Sequence, residues 1–338
     1  MVVRLSLLLI IVSFLCAGFR YHLTNTKMTT ADSLPANAIF LADPTIFHYN
    51  NTYYLYGTGG KGNHDGGFFV YTSTDMHNWQ VPSGANNGYA FRKGEAYGSK
   101  GFWAPQILPY KDSFYMAYAA NEQIAIAKSS SPAGPFTQRT MDSLSSDTRQ
   151  IDPYIFIDDD GKKYLYFVKL INGNRLFVAE LKDDLSDSKP GTIKECFGAT
   201  KPWENTANAS WPVTEGPAVL KHKGLYYLVY SANDFRNIDY AVGYATSVSP
   251  TGPWKKYEGN PVLSRHTIGF NGSGHGDFVT DAAGAMWYVF HTHYSNSQVS
   301  PRATAIVGSR FVAVKGKEDK LVMDSVPFFP VLVDSAVK

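Results

Sequence analysis

The sequence predicts an all-β fold, and within that class a five-bladed β-propeller. Three observations carry the expectation. Five short aromatic strands recur along the chain, a turn phrase follows most of them, and a phrase that often holds an acid precedes them at nearly constant distance. The strands are Tyr53–Tyr56, Phe114–Tyr118, Tyr164–Phe167, Tyr226–Tyr230 and Trp287–Phe290. They start at positions 53, 114, 164, 226 and 287, that is 61, 50, 62 and 61 residues apart. Such runs read as buried strands, and a period of several tens of residues marks a repeat architecture. A unit of a few strands cannot cover its own two faces, so neighbouring units must stack. A β-sandwich also shows short, regularly spaced strands, but the recurrence of both phrases favours the propeller.

Taken in order, the chain opens on Arg4, an apolar run Leu5–Leu15 and small residues around Cys16-Ala17-Gly18. This is the pattern of a signal peptide over residues 1–18, and the run is short for a membrane span. Export is expected. Cys16 offers lipid anchoring as the alternative, although Phe14-Leu15 fits a lipoprotein cleavage site poorly. Residues 19–38 are polar and read as a leader, and 39–338 as the propeller catalytic domain. Strand-like runs at Gly67–Thr72, Ile124–Lys128 and Ala241–Thr246 follow the first, second and fourth aromatic strands. They lead into Ser73-Thr74-Asp75, Ser131-Pro132-Ala133-Gly134 and Ser249-Pro250-Thr251-Gly252, turn phrases ahead of Trp79, Phe136 and Trp254. Ala305–Val307 with Phe311–Val314 completes blade five, and Ile39–Asp43 is expected to close the ring against it. The segments Asn172–Trp211 and Gly84–Phe102 read as long loops able to wall off a pocket.

Composition narrows the partners. Net charge is +2 with both signs interspersed and no Lys/Arg block, which disfavours nucleic acid and anionic membrane surfaces. Nothing implies another protein. Cys196 alone would remain after signal cleavage, so no internal disulfide forms.

The chemistry lies in the phrases ahead of the strands. Asp43-Pro44, Trp103-Ala104-Pro105, Asp152-Pro153, Glu215-Gly216-Pro217 and Gly274-His275-Gly276 occupy matching places in the five units. The innermost strands of a propeller run beside the axis, so these positions converge on one mouth of the channel. An Asp before Pro is ordinarily a turn cap; three acids brought together repel and resist ionisation, an arrangement kept for acid–base chemistry. Carboxylates with aromatic walls suit a sugar, and glycoside hydrolysis needs one protonated and one ionised carboxyl.

With Ala42-Asp43-Pro44, Trp103-Ala104-Pro105, Ile151-Asp152-Pro153, Thr214-Glu215-Gly216-Pro217, Gly274-His275-Gly276 and a late Arg302 in order at blade spacing, the sequence resembles glycoside hydrolase family 43 from about Ile39 to Val314. The resemblance implies an inverting glycosidase acting on arabinose- or xylose-containing poly- or oligosaccharides. Release of α-L-arabinofuranosyl units is the leading expectation, then exo-β-1,4-xylosidase, then endo-arabinanase. It implies Asp43 as general base, Glu215 as general acid, and Asp152 as the residue that orients the acid and tunes its pKa. Trp103 would line the sugar site, and Arg302 would contact sugar or acids. No cofactor is required; some members hold a calcium ion on the axis through a histidine and waters, and His275 is the candidate, both for that ion and for substrate. His291 and His293 flank Thr292 late in the chain, and one of them is expected to reach the channel. Two rivals remain: a binding propeller without catalysis, and a retaining transferase on the same scaffold.

Overall fold

The computed structural model describes residues 34–59, 66–83 and 87–333. The expected signal peptide, Cys16 and most of the expected leader lie outside the described residues. Among the described residues the regular structure is strand apart from one short α-helix at Arg265–Ile268 and a 3-10 turn at Pro202–Glu204. No helix there is long and apolar enough to cross a membrane.

Five antiparallel sheets form the blades. Blade one runs Ala42–Tyr49, Thr52–Thr58 and Tyr71–Ser73, blade two Trp103–Tyr110, Ser113–Ala120 and Gln123–Ser129. Blade three is Gln150–Ile157, Lys163–Leu170, Asn174–Glu180 and Lys194–Phe197. Blade four is Thr214–His222, Leu225–Ala232, Ala241–Ser247 and Lys255–Lys256; blade five is Gly274–Thr280, Met286–Thr292, Ala303–Val312 and Lys320–Met323. The aromatic strands found by periodicity are the second strands, buried on both faces because a blade lies on either side. Two expected loops are corrected here. Asn172–Trp211 contains the two outer strands of blade three, and Gly84–Phe102 contains Tyr89–Arg92, which pairs with Gly67–Phe69. Their polar, Gly- and Asn-rich stretches concealed strands that pair along an edge.

Each blade interface has its own core. Tyr56, Phe91 and Tyr118 fill the first, and Leu108, Leu165 and Phe167 the second. Tyr166, Val219 and Leu228 fill the third, Tyr227, Tyr244 and Phe290 the fourth, and Leu55, Trp79 and Ile306 the one that closes the ring. The Ser-Pro turn phrase acquires a purpose. Tyr56 of blade one donates to the Pro132 carbonyl of blade two, and Tyr166 of blade three to the Pro250 carbonyl of blade four. Closure uses both ends of the described chain. Val331–Leu332 runs parallel to Asn78–Trp79 as an outer strand of blade one, while Ala38 bridges to Val331 and the Ile39 amide donates to Pro330.

The inner strands carry the feature that builds the site. In every blade the register slips at the same place. Ala42 pairs with Thr58 and Thr45 with Tyr56, and the equivalent slips fall after Trp103, Ile151, Glu215 and Gly274. Two residues thus oppose one, which is a β-bulge. Four of the five second bulge residues are Pro44, Pro105, Pro153 and Pro217, which have no N–H to give the ladder. The first bulge residue is left-handed throughout: Asp43 at φ 48°, Ala104 at 47°, Asp152 at 56°, Gly216 at 58° and His275 at 44°. The sequence placed Glu215 and Trp103 at the same site as the aspartates. The bulges correct this: both sit one residue earlier than the aspartates, and reach the same pocket from that position.

Candidate active site

The strained bulges are held by bonds that pass between blades. The Ala104 amide donates to Thr58 Oγ1 at 2.8 Å, Gly216 to Asp152 Oδ2 at 3.1 Å, His275 to Ser231 Oγ at 2.7 Å, and Asp43 to His291 Nδ1 at 3.1 Å. A side chain of one blade therefore fixes the backbone of the next. His291, fully buried and stacked near Tyr240, is the one of the histidine pair that faces the channel. His293 turns instead to the Phe235 carbonyl.

Asp43, Asp152 and His275 form one group at the axis. His275 Nδ1 lies 3.3 Å from Asp43 Oδ1 and 3.8 Å from Asp152 Oδ2. Thr58 donates to Asp43 Oδ2 at 2.6 Å, and Arg302 donates to Asp43 Oδ1 at 3.0 Å with its guanidinium over the Phe235 ring. Glu215 belongs to a second group. Its Oε1 accepts from Tyr240 Oη and its Oε2 from Asn174 Nδ2, both at 2.9 Å. All three acids are buried.

These surroundings drive the carboxyls apart in acidity. Burial lifts the pKa of Asp43, but the Arg302 guanidinium, the two imidazoles and the Thr58 hydroxyl outweigh it, and the carboxyl is held well below the usual range. Burial itself pushes His275 and His291 toward the neutral form, so near neutral pH the guanidinium is the charge that matters. Glu215 has no cation bonded to it. Burial raises it to about 7 against the bonds from Tyr240 and Asn174. Asp152 is raised well above the ordinary value by burial and then by the charges of Glu215 and Asp43. One ionised and one protonated carboxyl thus coexist near neutrality.

A pocket of about 360 Å³ opens on these groups. Asp43 comes from blade one, Trp103 from blade two, Asp152 and Asn174 from blade three, Glu215, Trp211 and Phe235 from blade four, and His275 and Arg302 from blade five. Every residue expected at the site is present. The sequence missed Asn174, Trp211, Phe235 and Tyr240, which lie outside the repeated phrases: Asn174 opens the third strand of blade three, and the other three sit in connections between strands. Trp211 alone had a signal, since a tryptophan in a polar stretch just before the Glu215 strand has no core to fill. Among the described residues no group of three or more His, Cys, Asp or Glu is arranged to hold an ion, and the axial cavity beside His275 is about 20 Å³, near the volume of one water. Calcium takes six to eight oxygens, and the side chains here do not form such a shell by themselves.

Comparison with known proteins gives the same direction. The profile of glycosyl hydrolases family 43 matches residues 34–311. A solved endo-1,4-β-xylanase of Bacteroides thetaiotaomicron is 39% identical, with a TM-score of 0.79 over 88% of this chain and 98% of that one. A thermostable family-43 glycoside hydrolase is 33% identical, with a TM-score of 0.76 over 87% and 96%. A β-D-galactofuranosidase of Aspergillus niger is 25% identical over 79% of each chain. An extracellular exo-α-(1→5)-L-arabinofuranosidase of Cellvibrio japonicus is 27% identical over 58% of this chain and 60% of its own length.

Proposed function

The chain belongs to glycosyl hydrolase family 43, a family of inverting glycosidases, and from that premise we propose that it releases α-L-arabinofuranosyl units from plant cell-wall polysaccharide or its oligosaccharides. The observation that carries this reading is the pocket. Residues of all five blades surround the acids, with Trp103, Trp211 and Phe235 as aromatic walls, which suits one terminal sugar. Two relatives bear furanosidase names, which supports a five-membered ring as the substrate. The xylanase name of the 39%-identical structure favours a second reading, a β-1,4-xylosidase with the same machinery.

In this reading Asp43, ionised, takes a proton from the water that attacks the anomeric carbon. Glu215, protonated, gives its proton to the departing oxygen on the opposite side, and the configuration inverts. Asp152 accepts the Gly216 amide and so holds the backbone beside Glu215. Arg302 keeps the base charged, and Trp103 offers its ring to the sugar. Export by way of residues 1–18 completes the proposal.

The test is hydrolysis of 4-nitrophenyl α-L-arabinofuranoside, β-D-galactofuranoside and β-D-xyloside, with α-1,5-arabinan alongside, by the wild type and Glu215→Gln. Arabinoside turnover is expected, and the variant should lose roughly 10²–10⁴-fold on natural linkages. A preference for the xyloside selects the second reading. Cleavage inside arabinan without release of monomers overturns exo action.

A further inference from the structure

Glu215 is connected to the rim of the pocket through one side chain. Trp211, 45% exposed at the rim, donates its indole N–H to Asn174 Oδ1 at 2.9 Å. Asn174 in turn donates from Nδ2 to Glu215 Oε2 at 2.9 Å. We propose that Asn174 is a positioning residue for Glu215, and that the Trp211 indole sets its orientation, so that the aromatic rim and the proton donor act as one unit. The proposal rests on the reading of Glu215 as general acid.

Three observations carry it. First, an amide has one accepting and one donating end. With Oδ1 occupied by the indole N–H, a flipped amide would set NH₂ against N–H at one side and, once Glu215 has given up its proton, oxygen against a carboxylate oxygen at the other. Trp211 therefore selects the orientation in which Glu215 meets a donor. Second, the backbone of Asn174 is fixed independently of its side chain. Its amide donates to the Pro212 carbonyl at 2.9 Å, and Thr214 Oγ1 donates to its carbonyl at 3.0 Å. Gly173 before it has φ 113°, and a Cβ there would lie 2.5 Å from the Pro212 oxygen, so only glycine lets the two segments cross this closely. Third, an NH₂ can only donate. It binds a carboxylate more strongly than a carboxylic acid, and its bond to Glu215 strengthens as the proton leaves. Tyr240 on the other oxygen has a hydroxyl that can donate or accept and follows either state.

The gain from Asn174 is thus largest where proton transfer is most advanced in the transition state. That is the case for a sugar leaving group and hardly so for nitrophenolate, which departs without a proton. Trp211 stands beside the donor, on the leaving-group side, where a second sugar ring would rest on its exposed face.

The experiment compares Asn174→Ala, Trp211→Phe and Glu215→Gln on 4-nitrophenyl α-L-arabinofuranoside and on α-1,5-arabinobiose, or on the xylose counterparts if those are the substrates. Asn174→Ala is expected to lower kcat on the disaccharide roughly 10- to 100-fold, the worth of a hydrogen bond to a charged group. It should change the nitrophenyl glycoside less than about threefold, and move the alkaline limb of the pH profile upward because a donor to the carboxylate is gone. Trp211→Phe keeps an aromatic face but no N–H; it should lower kcat on the disaccharide and shift the limb in the same direction, with KM little changed. Equal losses on both substrates, or a Trp211→Phe enzyme with wild-type kcat and pH limb, would overturn the proposal. Glu215→Gln separates the two readings. If it spares the disaccharide as much as the nitrophenyl glycoside, Glu215 is not the acid; if it is selective while Asn174→Ala is not, only the coupling fails.

Discussion

At the residue scale the site depends on two carboxyls of similar intrinsic acidity placed in unlike company. Asp43 has a guanidinium 3.0 Å away, whereas Glu215 has only a phenol and an amide. The sign of the pH dependence follows. Raising the pH through about 7 removes the proton from Glu215, so kcat/KM falls on the alkaline side. Lowering the pH into the ordinary carboxylate range leaves Asp43 charged, so the acid limb lies below that range. Arg302→Met removes the cation while burial remains, and Asp43 must then rise. The acid limb should move up by at least a pH unit with the alkaline limb little changed, and a pH profile of the variant checks this. An unmoved acid limb would show that Arg302 does not hold the base in its charged form. Asp43, Asp152 and Glu215 were legible in the sequence because they recur with the blade period. Asn174 and Tyr240 were not, since a single Asn or Tyr at or just before the start of a strand has no partner until the fold supplies one.

At the element scale the bulge explains why the repeated phrase exists. A proline that cannot donate, after a residue in a left-handed conformation, interrupts the ladder for one step, after which pairing resumes in a shifted register. An Asp before Pro is ordinarily a turn cap; here each proline phrase is an interruption inside a strand, a distinction that depends on the pairing partner strand. The walls of the pocket are held in a comparable way. Glu204, fully buried, accepts from Lys256 Nζ at 2.7 Å, Tyr230 Oη at 2.5 Å and the Thr200 and Lys201 amides. Asn233 then joins this segment to the next wall, bonding Thr206 on one side and the Trp203 and Asp239 carbonyls on the other. These bonds tie down the segments that lead on to Trp211 and Phe235. Glu204→Gln leaves the Lys256 charge without its buried partner, and should destabilise the protein by about 3–5 kcal/mol in urea unfolding. In the same variant KM should rise as the walls loosen. A variant as stable as wild type would mean the segment is held elsewhere.

At the scale of the whole molecule the ring is closed by the last described strand, Val331–Leu332, on blade one. Val331, Leu332 and Val333 donate to the His77, Asn37 and Trp79 carbonyls, and Ile39 donates to Pro330. A chain ending at residue 329 loses these four bonds at about 1 kcal/mol each. Its Tm should fall by roughly 5 °C or more in calorimetry. An unchanged Tm would show that the apolar interface between blades five and one closes the ring without the strand.

The sequence by itself determined the five-fold repeat, the buried second strands, the turn phrases and the three acids with Trp103, His275 and Arg302. All but Arg302, which the family resemblance supplied, follow from local pattern and spacing, which a chain carries without folding. The tertiary structure alone decided which residue of each phrase faces the axis, because a register slip exists only between two paired strands. It also decided the ionisation of the acids, since Asp43 and Arg302 meet across 259 positions of chain and the desolvation that raises Glu215 comes from blades that touch only when the ring has closed.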